Sequence, residues 1–392
     1  MQSADVVIVG GGIVGSAVAY FLSSDGAFQG RRVVLVERDP SYAEASTARS
    51  AGGLRQQFST PENIAMSRFT LSLIRQIKTV FGPDADVGFR EQGYLIMAAG
   101  AARALLAENV ALQRSHGADI ALMEDSELAH RFPWIATDGV AAGAFGRSGE
   151  GWFDPPSLAS LLRNAAKARG VTVLHDGVTG IDAGGRIEAV RLASGASIEC
   201  GALVNAAGAW AGKLAALAGV ALPVEPRKRF VYVIDCREAS AALHEGPLTV
   251  DPSGVWFRPE GRFFLCGKSP DESEEPPPVD LDAIDYAFFE SEVWLRLAMR
   301  VPAFESVKVV NAWAGYYDYN TLDQNAVIGR HPQLANLYFA NGFSGHGAQQ
   351  GAAAGRAVAE LIVHGAFQTI DLARLGYGRI AEGRPLLERN VI

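Results

Sequence analysis

Apolar positions along the chain follow two periods. Val6-Val7-Ile8-Val9 is a β-branched run that predicts a buried strand, and Ser16 to Leu22 carries the apolar spacing of a helix. A second strand is predicted over Arg32-Val33-Val34-Leu35-Val36. From 171 to 208, VTVLHDGVTGIDAGGRIEAVRLASGASIECGALVNAAG alternates apolar positions with repeated turn residues, which predicts short strands and hairpins. The helical period returns over Ile284 to Met299. It returns again over Ala348 to His364, through Ala352-Ala353-Ala354, Val358, Leu361 and Ile362. PDESEEPPPVD, residues 270–280, has neither period. It reads as a solvated loop, with a lid or a partner-docking segment as its second reading.

Composition narrows this picture. A chain of 392 residues carries a prior of two or three domains and is long enough for a sizeable core. Apolar residues at 48% and charged residues at 20% describe a globular protein. A net charge of −8 without a basic block argues against nucleic acid as a partner. Cys200, Cys236 and Cys266 lie far apart and form no CxxC pair, so neither a metal site nor a redox dithiol is expected. That cysteine usage fits a reducing, cytoplasmic setting. Val6 to Leu22 is interrupted by four glycines and preceded by an acid, so it predicts neither a signal peptide nor a membrane span. Oligomeric state is left open.

The first strand meets a GxGxxG turn made by Gly10, Gly12 and Gly15, with Ile13 and Val14 between them. Glu37 ends the second strand about twenty residues on, where a dinucleotide site needs a partner for a ribose hydroxyl, and Arg38 follows it. Gly10 permits the turn, Gly12 lets the backbone approach a pyrophosphate, and Gly15 lets the helix pack closely on the strand. The helix amino end then presents unpaired N–H groups and a positive dipole to the phosphates. The motif alone does not choose between NAD and FAD. The glycines at 177, 180, 184 and 185 read as hairpin turns, so no second nucleotide motif of a flavin reductase is expected near mid-chain.

Three further stretches add a cofactor's other end. They are EASTARSAGGLR at 44–55, ALVNAAGAW at 202–210 and FANGFSGHGAQQGAAAG at 339–355. With the amino-terminal turn, these resemble the D-amino-acid-oxidase-like family of flavoproteins, most of all its glycine oxidase, sarcosine oxidase and amino-acid dehydrogenase branches. GGLRQQFSTPEN at 52–63 with GFSGHGAQQ is also similar to a mitochondrial FAD-dependent oxidoreductase-domain protein of respiratory complex I assembly. The resemblance covers most of the chain. It implies an α/β fold, with a Rossmann-like FAD domain of the glutathione-reductase type and a mixed-sheet α+β substrate domain. The first would gather 1–85, 150–220 and 320–392, the second 86–149 and 221–319. It further implies that Ser50, Ala51, Gly52 and Gly53 run beside the isoalloxazine. Val178 would reach the adenine end, and Ala207, Gly208 and Trp210 would lie near the pyrophosphate. Gly342, Ser344, Gly345, His346, Gly347 and Gln349 would bring a helix amino end to the reducible end of the same cofactor.

The chemistry so implied is oxidation of a carbon–nitrogen bond. A neutral amine expels hydride from its adjacent carbon to flavin N5, and the imine is hydrolysed to a carbonyl compound and a released amine or ammonia. The partners are a small amine or amino acid and O2 or another electron acceptor. This sequence departs from the family at several positions. No cysteine stands near Tyr316 and Tyr317, where sarcosine oxidases attach their flavin, so FAD is expected to be non-covalent. Gln349 replaces a lysine, and the glycine oxidases' carboxylate-binding arginine near Tyr316 is missing. Leu265 takes the place of the oxygen-activating lysine, with Lys268 three residues on, which leaves oxidase and dehydrogenase both open. A carboxylate anchor is therefore sought in Arg55 first and Arg258 second, since either guanidinium can fork to a carboxylate. His346 is a candidate contact to substrate or flavin. Trp256, Phe257, Tyr316, Tyr317 and Tyr319 are candidates for an aromatic wall. The alternative readings are an FAD-binding assembly factor without turnover, and a flavin monooxygenase or reductase.

Overall fold

The computed structural model describes residues 2–389. Residue 1 and residues 390–392, at the ends of the expected FAD domain, lie outside the described residues. Two eight-stranded sheets organise the chain. In the first, the order is Val327–Arg330, Leu337–Asn341, Ser197–Asn205, Gln2–Val9, Val33–Glu37, Thr172–His175. The opening β-branched run sits at its centre, with Val9 in register with Asn205 on one side and Val36 on the other, both parallel. Leu337–Asn341 adds in parallel beyond Ser197–Asn205. The carboxyl ends of these strands therefore finish at one edge. Gly10, Glu37, Ala206 and Gly342 all stand there, where a doubly wound sheet binds its ligands.

The alternating stretch forms as its pattern predicts. Val178–Ala183 and Ile187–Leu192 make an antiparallel hairpin that continues onto Ser197–Asn205. On one face of the sheet, the helix Ile13–Ser24 packs between Pro155–Ala168 and Gly347–His364. Val18, Leu22, Leu158, Leu162 and Val358 bury the seam.

The second sheet runs Val307–Asn320, Val224–Cys236, Phe263–Gly267, Trp256–Glu260, Leu248–Val250, Tyr94–Ala98, Ala142–Gly146, Ile120–Glu124. Only its Leu248–Val250 and Tyr94–Ala98 pair is parallel. The helical period over 284–299 appears as helix from Tyr286 to Arg300, with a wider-turned centre at Phe289–Trp294. Val293 and Leu297 of that segment bury against Tyr232, Phe264 and Phe304. Between the sheets, Gly53–Leu54 pairs antiparallel with Gly151–Trp152. That two-residue ladder carries the glycine-rich segment, and Arg55 after it, to the mouth of the first sheet.

Candidate functional site

The strand ends open into one cavity of about 630 Å³. Gly10 adopts φ +103°, and a Cβ there would stand 2.2 Å from the Ala206 carbonyl oxygen. One on Gly15 would stand 1.9 Å from the Gly10 carbonyl oxygen, so Gly15 acts behind the cavity, seating the helix on the turn. Gly12, Ile13 and Val14 line the opening. The Ile13 N–H at the helix amino end donates to Thr47 Oγ1 at 3.1 Å. Glu37 holds the turn from the next strand, its two oxygens accepting from the Gly11 N–H at 2.7 Å and the Asp39 N–H at 2.9 Å. A carboxylate has about four acceptor positions, so both oxygens retain capacity for ribose hydroxyls. Arg38 stacks over the Trp210 ring at 3.7 Å, and both line the same end as Gly177 and Val178. Tyr42 lines this channel, and its hydroxyl is buried with no partner among the described residues. Ala207 and Gly208 complete the wall.

At the opposite end the residues converge on Arg55. Ser50, Ala51, Gly52 and Gly53 lead to it along the cavity wall. Its side chain is buried and makes no ion pair among the described residues. One terminal nitrogen lies 3.4 Å from Tyr94 Oη, the other 3.1 Å from His346 Nε2, and its Nε has no partner. An arginine only donates, so Nε2 accepts and the imidazole proton sits on Nδ1. Burial and the adjacent Arg55 charge push His346 down to about 3, so the ring is neutral across the physiological range. Gln349 Oε1 accepts from the Arg55 backbone N–H at 2.8 Å and from Ser67 Oγ at 3.3 Å. The amide at 349 thus spends its oxygen on placing Arg55. Gly345, Gly347 and Ala348 put the helix amino end on the cavity, where the first-turn N–H groups have no intrahelical partner.

Asp318 builds that end from below. Its buried carboxylate accepts from the Gly342 N–H at 2.8 Å and the Phe343 N–H at 3.2 Å. Burial raises it to about 6 against the pull of those N–H groups. Gly342 therefore serves the loop's support and does not line the cavity, whereas Ser344 does. Ser344 Oγ also accepts from the Asn320 N–H at 3.0 Å. Glu150 stands behind Arg55, accepting from the Gln56 N–H at 2.5 Å and Gln57 Nε2 at 2.7 Å. Burial pushes it up to about 7.

The remaining candidates separate. Arg258 does not reach the cavity. Its guanidinium donates to the carbonyls of Ala51 and Pro259, both at 3.0 Å, and pairs with Glu260. It braces the segment that leads to Arg55. Tyr316, Tyr317 and Trp256 line the cavity. Phe257 packs between Trp134 and Phe304, and Tyr319 lies under Arg227. Leu265 is buried beside Val231 and Val233. Lys268 lines the cavity with its ammonium held by Glu292 at 2.8 Å. Sequence reasoning passed over Tyr94, Arg229, Thr47, Glu150 and Asp318. Each sits in an ordinary strand or loop pattern, and only the acid flanked by tyrosines at Asp318 offered a local signal. The 270–280 segment is less free than expected, because Glu275 forks onto Arg229 at 2.6 and 2.8 Å. Among the described residues no helix is long and apolar enough to cross a membrane, and no acid, histidine or cysteine cluster could hold a metal ion.

The family described as FAD dependent oxidoreductase, DAO, matches residues 5–361. The chain belongs to this DAO family. FAD-dependent oxidoreductase domain-containing protein 1 of Xenopus laevis is 44% identical, over 100% of this chain and 85% of its own length. The mitochondrial dimethylglycine dehydrogenase of Rattus norvegicus is 27% identical, over 96% of this chain and 45% of its own length. Among solved structures, L-proline dehydrogenase from P. horikoshii superposes with a TM-score of 0.85 at 27% identity, covering 98% of this chain and 99% of that one. Glycine oxidase from Geobacillus kaustophilus, at 22% identity and a TM-score of 0.78 over 100% of both chains, shares the fold. The DAO cofactor fits the residues present. The Gly10–Gly12 cradle, the helix amino end and Glu37 suit a dinucleotide, and the orphaned Tyr42 hydroxyl awaits a polar partner in the same channel.

Proposed function

We propose that the protein oxidises the carbon–nitrogen bond of an amino acid or N-substituted amino acid, with Arg55 holding the carboxylate. The observation that carries this reading is a buried guanidinium on the cavity wall that makes no ion pair among the described residues. A buried cation is costly unless paired, and a substrate carboxylate would complete Arg55 with a forked pair of hydrogen bonds. His346, neutral and accepting from Arg55, orients that fork without adding charge. Tyr94, Tyr317 and Trp256 form an apolar wall that favours the neutral amine by desolvating its ammonium form. FAD, when bound, supplies the two-electron acceptor. The relatives' names carry dimethylglycine, sarcosine and proline, all amino acids whose nitrogen bears extra carbon. That shared feature supports an N-substituted substrate.

A second reading is an FAD-holding protein without turnover. It is favoured by the relatives above 40% identity, whose names state a domain and no reaction. One experiment separates the two. The FAD-loaded protein is mixed anaerobically with glycine, sarcosine, dimethylglycine and proline while the flavin absorbance is followed. Bleaching by an N-substituted amino acid is expected. Normal FAD content with no bleaching by any of them would overturn catalysis in favour of the second reading.

A further inference from the structure

Arg229 is a further guanidinium on the cavity wall, beside the aromatic residues near Arg55. It projects from Val224–Cys236, opposite Gly315 in the neighbouring strand, and its Cζ lies 5.4 Å from the Tyr317 ring centroid. Arg55, Arg229 and Tyr317 all line this cavity, and both arginine charges act on the Tyr317 phenol. Unlike Arg55, Arg229 is satisfied from within the chain. Glu275 reaches in from the acidic loop with only 11% of its side chain exposed. It takes Nη1 at 2.8 Å and Nη2 at 2.6 Å in a two-point fork. Arg229 Nε stays buried and without a partner, so the side chain retains a donor beyond the fork.

The loop that delivers Glu275 is laced to the same strand and to its neighbour Val307–Asn320. Lys228 Nζ donates to the carbonyls of Asp280 and Ala283, both at 2.6 Å, and Tyr316 Oη donates to that of Pro278 at 3.3 Å. These contacts hold an otherwise exposed, proline-rich segment in one place. The fork on Arg229 is the geometry that a carboxylate of a bound molecule would take on an arginine.

We propose that Glu275 sets the charge specificity of the site: by occupying Arg229 it denies that guanidinium to a second acid group, so the site accepts amino acids with one carboxylate. This rests on the reading of Arg55 as the carboxylate anchor. A substrate with two carboxylates meets a Glu275 charge where its second acid group needs a cation. Like charges repel, and displacing Glu275 would break its two-point fork on Arg229. Specificity here is a built-in repulsion.

The test uses the FAD-loaded wild type, Glu275→Gln and the double variant Arg229→Gln/Glu275→Gln, titrated with acetate and with malonate while the flavin spectrum is followed. In Glu275→Gln, malonate is expected to bind ~10-fold tighter or more, the scale of one charge-assisted pair, with acetate affected far less. The double variant is expected to lose that gain. Unchanged malonate affinity in Glu275→Gln, or a gain that survives in the double variant, would overturn the proposal. If Glu275→Gln fails to hold FAD, the wild type still decides, because malonate binding as tightly as acetate there contradicts a site closed to a second acid group. Absence of acetate binding in every form would sink the Arg55 anchor instead, while the malonate comparison between variants would still judge Glu275.

Discussion

Arg55 and Arg258 show how a residue's role depends on what its neighbours leave undone. Both are buried arginines on the path to the cavity. Arg258 lies two positions before Glu260 in one strand, so the two side chains share a face and pair. Arg55 makes no ion pair among the described residues, and its partner ring nitrogen is a neutral acceptor. Replacing Arg55 with methionine is therefore expected to raise KM for the amino-acid substrate roughly tens-fold, from ~1.5–3 kcal/mol of charge-assisted bonding. Steady-state kinetics with the best substrate checks this, and an unchanged KM removes the anchor. The sequence singled out Arg55 from its place after Gly52 and Gly53, and the structure sets it on the cavity wall. Tyr94 and Arg229 were not singled out, because each reads as one more residue of a strand until a distant segment is folded against it.

At the scale of elements, the segment 50–57 on the cavity wall is held by groups from three other segments. Arg258 takes the Ala51 carbonyl, Gln349 the Arg55 N–H, and Glu150 the Gln56 N–H. Glu150 is buried, and that burial outweighs its two N–H bonds and the nearby Arg55 charge, which is why its pKa rises to about 7. Its folded value thus exceeds its unfolded one, so the proton is bound more tightly in the native protein. The stability this contributes is complete below about pH 4.5 and is lost as pH rises through about 7. Relative to Glu150→Gln, the wild type is expected to lose on the order of 3 kcal/mol between pH 4.5 and 8. Urea unfolding of both proteins across that range reads the difference. A gap that does not change with pH would show that Glu150 titrates normally. The helix periods at both ends of the chain and the hairpins of 171–208 were readable from spacing. The Gly53–Leu54 ladder was not, since two residues carry no period.

For the molecule as a whole, the cavity's two ends depend on two helices from opposite ends of the chain. Ile13–Ser24 begins at the phosphate-type turn, and Gly347–His364 begins at the Arg55 end. They cross most closely at Gly355, where a Cβ would stand 2.4 Å from Ala17 Cβ and 2.7 Å from the Val18 nitrogen. Gly355→Val is expected to force them apart. The overpacking costs ~1–3 kcal/mol and lowers the flavin retained on purification. Thermal unfolding and the ratio of flavin to protein absorbance measure both, and normal values for the pair would show that the helices tolerate separation.

By itself the sequence determined the strand–turn–helix that opens the chain, the acid that closes its second strand and the family to which these belong. Those features are local, because each is set by residues within one turn or one register step of one another. Tertiary structure decided which charges are free. Among the described residues Arg55 makes no ion pair, Arg258 is spent on Glu260 and Arg229 on Glu275, and His346 and Glu150 are pushed toward their neutral forms. The reason is physical: the cost of a buried charge depends on what else is buried beside it, and that is known only once distant segments have met.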